Sequence, residues 1–175
     1  MKHFFKKYYT DLFPGKRFFA GTGLCVSLFL FAFFLPWLGD LPYLCFWALV
    51  CLTLIDLVLL YRTNRGIFIR RDLPERLSNG DDNEIRIYIE NFYPFSIQTG
   101  IIDEIPFQFQ KRDIWFESRL KPAEHKTINY VLRPVKRGEY LFGSIRVYVQ
   151  SPLGLICRRF NSGTEVTVPV YPSFL

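Results

Sequence analysis

The sequence predicts a two-helix transmembrane hairpin followed by an all-β antiparallel sandwich of immunoglobulin-like type. Two almost continuously apolar stretches, residues 18–38 and 41–61, predict the hairpin, because each is long enough to cross a hydrocarbon core of about 30 Å. Beyond residue 61 apolar and polar residues alternate, which is the period of a half-buried strand. The chain therefore divides into a basic amino terminus (1–17), the hairpin (18–61) and a β-domain (62–175).

The composition excludes several classes of protein. Half of the 175 residues are hydrophobic and 22% are charged, which excludes a disordered chain. Three of the four cysteines, Cys25, Cys45 and Cys51, lie inside the apolar stretches, so a disulfide scaffold is excluded as well. The net charge of +6 comes largely from the hairpin flanks and is scattered elsewhere, so we expect no nucleic-acid partner.

The apolar stretches are interpreted as two retained membrane helices. Pro36, Gly39 and Pro42 break the helix between them and indicate a tight turn. Neither stretch has the polar face of a buried helix in a soluble bundle. The first stretch is longer than the core of about 7–15 residues typical of a cleavable signal peptide, and it lacks a small-x-small cleavage site.

The distribution of positive charge predicts the orientation of the hairpin. Basic residues precede the first stretch and follow the second, whereas the turn between them has none: Lys2, Lys6, Lys7, Lys16, Arg17, Arg62, Arg65, Arg70 and Arg71. Positive residues flank membrane spans mainly on the cytoplasmic side. We therefore expect a multi-pass protein of the bacterial inner membrane, embedded in the lipid bilayer, with both termini in the cytoplasm.

Asp56 is the single charged residue within the two stretches. An aspartate at the bilayer centre costs on the order of 3 kcal/mol, which makes it a functional candidate. Counting back from the turn, Asp56 falls opposite Thr22, Gly23 and Ser27, so we expect a polar clamp between the helices. On this interpretation Asp56→Leu costs about 0.6 kcal/mol of helix association. The alternative, an ion or proton relay, would need further ionisable groups in the stretches.

The β-domain pattern predicts short strands separated by turn residues. The predicted strands are residues 66–71, 85–90, 95–103, 115–120, 128–133, 145–150, 155–160 and 165–171. Seven or eight strands at this spacing are typical of an immunoglobulin-like sandwich. Pro169 cannot donate a hydrogen bond to a neighbouring strand, so the last strand is predicted at a sheet edge.

The β-domain offers no constellation of residues for catalysis or metal binding, so we expect no enzymatic activity, metal or cofactor. His125 has no partner at metal-ligand spacing. Residues 81–84, Asp-Asp-Asn-Glu, include three acidic residues but lack the ligand pattern of a calcium-binding EF-hand loop, and are better interpreted as a solvated turn. Cys157 alternates along a strand without a base nearby and is interpreted as a packed thiol.

Two motifs resemble the amino-terminal part of membrane proteins of domain-of-unknown-function family 58. One is an Arg-Gly-x-Tyr strand and the other a Pro-Leu-Gly-Leu turn, with Tyr-Pro beyond them, and Ser151 stands where the family usually has Asp. The residues that match the family are Arg137, Gly138, Tyr140, Gly143, Pro152, Leu153, Gly154, Leu155, Tyr171 and Pro172.

The resemblance implies a function that the residues alone do not. Members of this family continue into a von Willebrand factor A-like domain that can hold a divalent metal, and this chain is expected to correspond to the part before it. They are linked to MoxR-type AAA+ ATPases as membrane-side partners. The resemblance thus implies a cytoplasm-facing interaction or scaffold module. The alternative is a ligand-binding sandwich displayed outside the cell, which would require the opposite orientation.

Overall fold

The computed structural model describes residues 11–63, 66–110, 114–162 and 165–172. Lys2, Lys6, Lys7 and Arg65 of the predicted basic flanks lie outside these ranges. The chain forms two compact units. The first contains the hairpin together with Gln150–Arg158, and the second contains Arg65–Val149 and Arg159–Leu175. The units therefore do not coincide with the predicted division at residue 62, because a short segment of the β-domain joins the hairpin.

The first unit is built on two antiparallel helices. A short strand β1 (Leu12–Pro14) leads into α1 (Lys16–Phe34), and a 3₁₀ turn at Pro36–Leu38 connects it to α2 (Leu41–Arg62). Helix α1 ends four residues before its predicted end, because the residue before a proline disfavours the helical conformation. Helices of 19 and 22 residues are about 28 and 33 Å long, and both are long and apolar enough to cross a membrane.

The second unit is an immunoglobulin-like β-sandwich. The strands of the β-domain are β2 (Ile67–Asp72), β3 (Leu77–Ser78), β4 (Asn83–Asn91), β5 (Ile97–Asp103), β6 (Ile114–Leu120), β7 (His125–Leu132), β8 (Gly138–Phe142), β9 (Ile145–Gln150), β10 (Ile156–Ser162) and β11 (Val166–Tyr171). The last residue of β9 and the first three residues of β10 belong to the first unit. The sheets have the orders β1-β10-β9-β5-β6, β2-β4-β7 and β3-β11-β8. The predicted strands at residues 66–71, 85–90 and 128–133 form the second of these.

The core of the sandwich comes from the inward positions of alternating strands. Every second residue of β4 is fully buried, at Ile85, Ile87 and Ile89, and β9 contributes Val147 and Val149 in the same way. A fully buried side chain of this kind contributes about 1.5–3 kcal/mol. The alternation seen in the sequence is therefore the packing pattern of the sandwich.

The predicted edge position of the last strand is wrong. Strand β11 lies between β8, which pairs with it antiparallel, and β3, which pairs with it in parallel. Strand β3 reaches only Val170 and Tyr171, so Pro169 lies just before the portion of β11 that has neighbours on both sides. The missing N–H of Pro169 is tolerated because β3 is only two residues long.

Candidate functional site

Asp56 is completely buried at the end of the hairpin where α1 begins and α2 ends. We call this end the hairpin base, residues 15–17 and 56–62. The Asp56 Oδ2 atom accepts hydrogen bonds from the backbone N–H groups of Leu155 and Ile156, each at 2.9 Å. Oδ1 accepts a hydrogen bond from the hydroxyl of Ser151, a residue that is itself buried. Three neutral donors thus replace water around the carboxylate.

The predicted clamp between Asp56 and residues 22–27 is wrong. The hydroxyls of Thr22 and Ser27 each donate, at 2.9 Å, to a carbonyl four residues earlier in their own helix, Phe18 and Gly23. Such bonds satisfy a hydroxyl locally. Neither hydroxyl is therefore the partner of Asp56.

The contact register of the helices explains why that prediction failed. Gly21 lies against Leu49, and the rings of Phe29 and Tyr43 meet edge to face at 5.1 Å. This register places Asp56 level with the start of α1, six or seven residues (about 10 Å) nearer the hairpin base than Thr22. The carboxylate consequently lies at the end of the hairpin rather than within its apolar length.

The segment that binds Asp56, Gln150–Arg158, is hereafter the docking segment. Its turn is also held from the α1 side, where Arg17 Nη1 donates to the carbonyls of Pro152 and Leu153 at 3.0 Å each. Gly154 has φ +67°, a conformation that strongly favours glycine. A Cβ at Gly15 would overlap the carbonyl oxygen of Gly154, so glycine at position 15 permits the close approach of the two backbones.

Two further contacts fix the carboxyl-terminal end of the docking segment. Arg158 donates to the carbonyl of Leu60 at 2.8 Å, and its guanidinium lies 4.4 Å from the ring centroid of Tyr61. A cation at the carboxyl end of a helix satisfies otherwise unpaired carbonyls there. Strand β1 pairs antiparallel with the first residues of β10, Pro14 opposite Ile156. The docking segment is therefore bound by β1, α1 and α2 together.

The sandwich holds a second buried carboxylate, which sequence reasoning missed. Asp103 of β5 forms an ion pair with Arg71 of β2 at 2.5 Å and accepts a hydrogen bond from the hydroxyl of Tyr130 of β7 at 2.5 Å. The other guanidinium nitrogen of Arg71 donates to the carbonyl of Gly143 at 2.9 Å. Burial, and then the charge of Asp103, raises the pKa of Tyr130, so the phenol remains a donor. These bonds join β2 and β7 to β5 of another sheet.

The period-two pattern contained a signal for this ion pair. Arg71 has the same parity along β2 as the buried residues Ile67 and Ile69, and Asp103 has the same parity along β5 as Ile101. A charged residue at an inward position requires an inward partner. The parity identifies both charges as buried but does not say that they meet.

The residues of the family resemblance fall into both units. Pro152, Leu153, Gly154 and Leu155 belong to the docking segment. The other motif residues lie in the sandwich, on or next to β8 and β11: Arg137, Gly138, Tyr140, Gly143, Tyr171 and Pro172. The hydroxyl of Tyr140 donates to the carbonyl of Lys136 at 2.9 Å.

The remaining candidates have local structural roles. The Asn83 side chain exchanges hydrogen bonds with the backbone of Ser78 and donates to the carbonyl of Asp81, which closes the turn between β3 and β4. His125 stacks on Tyr88. Cys157 is a buried free thiol whose pKa is raised to about 11 by burial. Within the described ranges, no three His, Cys, Asp or Glu side chains are grouped to hold a metal ion.

No family model matches the chain, and no curated protein matches it. Among solved structures, it is similar to the CARDB domain of the PF1109 protein of Pyrococcus furiosus, which was crystallised in complex with di-metal ions. The identity is 14%, the TM-score 0.43, and the match covers 60% of this chain and 87% of that one.

It is also similar to PapD-like domain 7 of human CEP192, at 13% identity and a TM-score of 0.44, over 62% of this chain and 87% of that one. A third similar structure is Salmonella alpha-2-macroglobulin reacted with methylamine. That match has 16% identity, a TM-score of 0.40, and covers 61% of this chain and 7% of the other. Similarity at this level transfers no ligand, metal or partner to this chain.

Proposed function

We propose that the protein is a membrane-anchored, cytoplasm-facing scaffold module without enzymatic activity, comparable to the amino-terminal half of family 58 proteins. Its proposed partners are the lipid bilayer and, on the resemblance alone, a MoxR-type AAA+ ATPase. The apolar helices match the thickness of a bilayer. Exposed basic residues at the hairpin base, Lys16 and Arg62, face the cytoplasm in the proposed orientation.

The observation that carries the proposal is the binding of the docking segment to the hairpin base. A helix hairpin that served only as a tether would need no contact with the β-domain chain. Here Asp56, Arg17 and Arg158 contribute six hydrogen bonds between that segment and the hairpin. The arrangement contains no activated nucleophile or base, and what it does is hold backbone in place. This supports a role in positioning rather than in catalysis.

Cysteine labelling in spheroplasts tests the topology. The four native cysteines are replaced by alanine, and single cysteines are introduced at Thr127, which is exposed on β7, or at Asp40, which is exposed at the hairpin tip. A membrane-impermeant maleimide should label position 40 in intact spheroplasts and position 127 only after permeabilisation. Ser162 is less suitable as a reporter, because its hydroxyl donates to the carbonyl of Ile69.

The two labelled positions control for each other. Labelling of position 127 in intact spheroplasts, with position 40 protected, would overturn the proposal in favour of a ligand-binding sandwich outside the cell. The partnership has its own test, in which the immobilised full chain should retain a MoxR-type ATPase of the same organism in the presence of a non-hydrolysable ATP analogue. Failure to retain it would remove the ATPase from the proposal and leave the anchor unaffected.

A further inference from the structure

The two helices leave an apolar groove along one side of their contact. Its walls run from Phe18 to Phe29 on α1 and from Phe46 to Leu54 on α2, and its volume is about 460 Å³. All of it belongs to the hairpin unit. The groove begins at the hairpin base and ends before the turn at Pro36.

The residues that line the groove need no polar group from an occupant. Thr22 and Thr53 both line it, but their hydroxyls donate to the carbonyls of Phe18 and Leu49 in their own helices, at 2.9 and 2.7 Å. The other lining residues are hydrocarbon side chains and the thiol of Cys25. An occupant made only of hydrocarbon therefore leaves no wall group unsatisfied.

The length of the groove distinguishes between possible occupants. From Phe18 to Phe29 it extends about 17 Å along α1, close to the depth of one leaflet, which is half of a hydrocarbon core of about 30 Å. A transmembrane helix of a partner would need a surface through both leaflets. A single lipid acyl chain needs a surface through only one leaflet, and it enters the groove from the hairpin base.

The charged residues at the hairpin base, where the groove begins, indicate the headgroup of the bound lipid. Lys16 and Arg62 are both exposed at the hairpin base, whereas the described charge nearest the tip is Asp40. Exposed basic residues at a membrane surface attract acidic lipids. We infer that the groove binds one acyl chain of an acidic phospholipid from the leaflet at the hairpin base, with its phosphate at the level of Lys16 and Arg62. This inference rests on the proposed membrane embedding.

Native mass spectrometry tests the acyl-chain site. The full chain is extracted in mild detergent from vesicles of equal parts phosphatidylethanolamine and phosphatidylglycerol, and retained lipids are counted. Val50 lines the groove and Val58, on the same helix, does not, so Val50→Phe and Val58→Phe form a matched pair. We expect one retained lipid for the unmodified chain and for Val58→Phe, and an occupancy at least about tenfold lower for Val50→Phe.

A second pair of variants tests the headgroup. The double variant Lys16→Gln and Arg62→Gln should retain lipid in the proportions of the vesicle, whereas the unmodified chain and the surface control Lys126→Gln should be enriched in phosphatidylglycerol. Lipid of vesicle composition on the unmodified chain would overturn the acidic headgroup. Unchanged lipid retention in Val50→Phe, or a dimer of the unmodified chain that this variant dissociates, would overturn the groove site itself.

The labelling experiment separates this inference from the proposed function. If position 40 lies outside and position 127 inside and no lipid is retained, only the lipid site is wrong. If those positions are not separated by a membrane, the proposed function fails, and the lipid site fails with it.

Discussion

Two fully buried aspartates show how differently the hairpin base and the sandwich hold a charge. The charge of Asp103 is compensated by a cation, Arg71, and its carboxylate also accepts a hydrogen bond from the hydroxyl of Tyr130. Asp56 is surrounded by neutral donors, the two consecutive N–H groups of Leu155 and Ile156 and the hydroxyl of Ser151. Among the described residues, no ion pair includes Asp56.

The difference follows from what each carboxylate holds in place. An ion pair between two strands fixes the distance between them and is insensitive to local backbone shape. Consecutive backbone N–H groups converge on one oxygen only when the backbone adopts a particular turn. Asp103 thus stabilises the packing of sheets, whereas Asp56 specifies the conformation of the docking segment, and the two sites should respond differently to substitution.

The largest effect is expected from Arg71→Met, which leaves Asp103 buried without a cation. Breaking a buried pair in this way costs about 3–5 kcal/mol of unfolding free energy. Urea unfolding of the full chain in detergent micelles measures it, with Trp37 and Trp47 replaced by Phe so that Trp115 reports on the sandwich. The exposed pair Arg86–Glu84 is the control, and Arg86→Met should leave the midpoint unchanged. Equal shifts of the unfolding midpoint in Arg71→Met and Arg86→Met would contradict a special role of the buried ion pair.

A smaller and more local effect is expected from Asp56→Leu. The variant leaves two N–H groups and a hydroxyl buried without acceptors, at about 1–3 kcal/mol for each unsatisfied group. We therefore expect Asp56→Leu to lower the free energy needed to open the docking segment by at least about 2 kcal/mol. This loss is larger than the loss of about 0.6 kcal/mol expected for a clamp between the helices. The labelling rate of Cys157, with the other cysteines replaced by alanine, should rise at least about tenfold.

Asp56→Asn retains one carbonyl acceptor and should give an intermediate labelling rate of Cys157. The sandwich should be unaffected in both Asp56 variants when it is followed through Trp115. An unchanged labelling rate in Asp56→Leu would show that the carboxylate does not hold the docking segment.

The next prediction compares alanine substitutions at two glycines of the hairpin. Gly15→Ala should loosen the docking segment by about 1–3 kcal/mol, the usual cost of overpacking, because its Cβ overlaps a backbone carbonyl. In Gly23→Ala the added Cβ meets nothing within 4 Å, so this variant should be neutral. Cys157 labelling compares them directly, and equal rates would show that close approach at Gly15 is unimportant.

The smallest effect concerns pH. Burial raises the pKa of Cys157 from 9.0 to about 11, so between these values the thiol ionises in the unfolded chain but not in the folded one. The unfolded chain then binds fewer protons, and stability falls as pH rises through this window. We expect the unmodified chain to lose more stability than Cys157→Ala between pH 9 and 11, by less than about 2 kcal/mol. Parallel pH profiles of stability for the two chains would contradict the raised pKa of Cys157.

The sequence predicted those features that local patterns encode. Both helices and eight strands were located from apolar length and period-two alternation, and that part of the fold is confirmed. Strands β1 and β3 have three and two residues, too few to show a period. Strand β8 was indicated only by the family resemblance. The cytoplasmic orientation and the MoxR partnership stay predictions.

Sequence alone placed Asp56 in apolar surroundings, and the parity of Arg71 and Asp103 with their buried neighbours is a signal of the same kind that sequence reasoning missed. Both signals depend only on neighbours a few positions away. Tertiary structure decided what these three residues bind. The donors to Asp56 lie 95 to 100 positions along the chain, and two of them are backbone groups, which carry no side-chain signature. A buried polar group must be satisfied by whatever the fold brings near, and only the packed chain shows that the docking segment does this for Asp56.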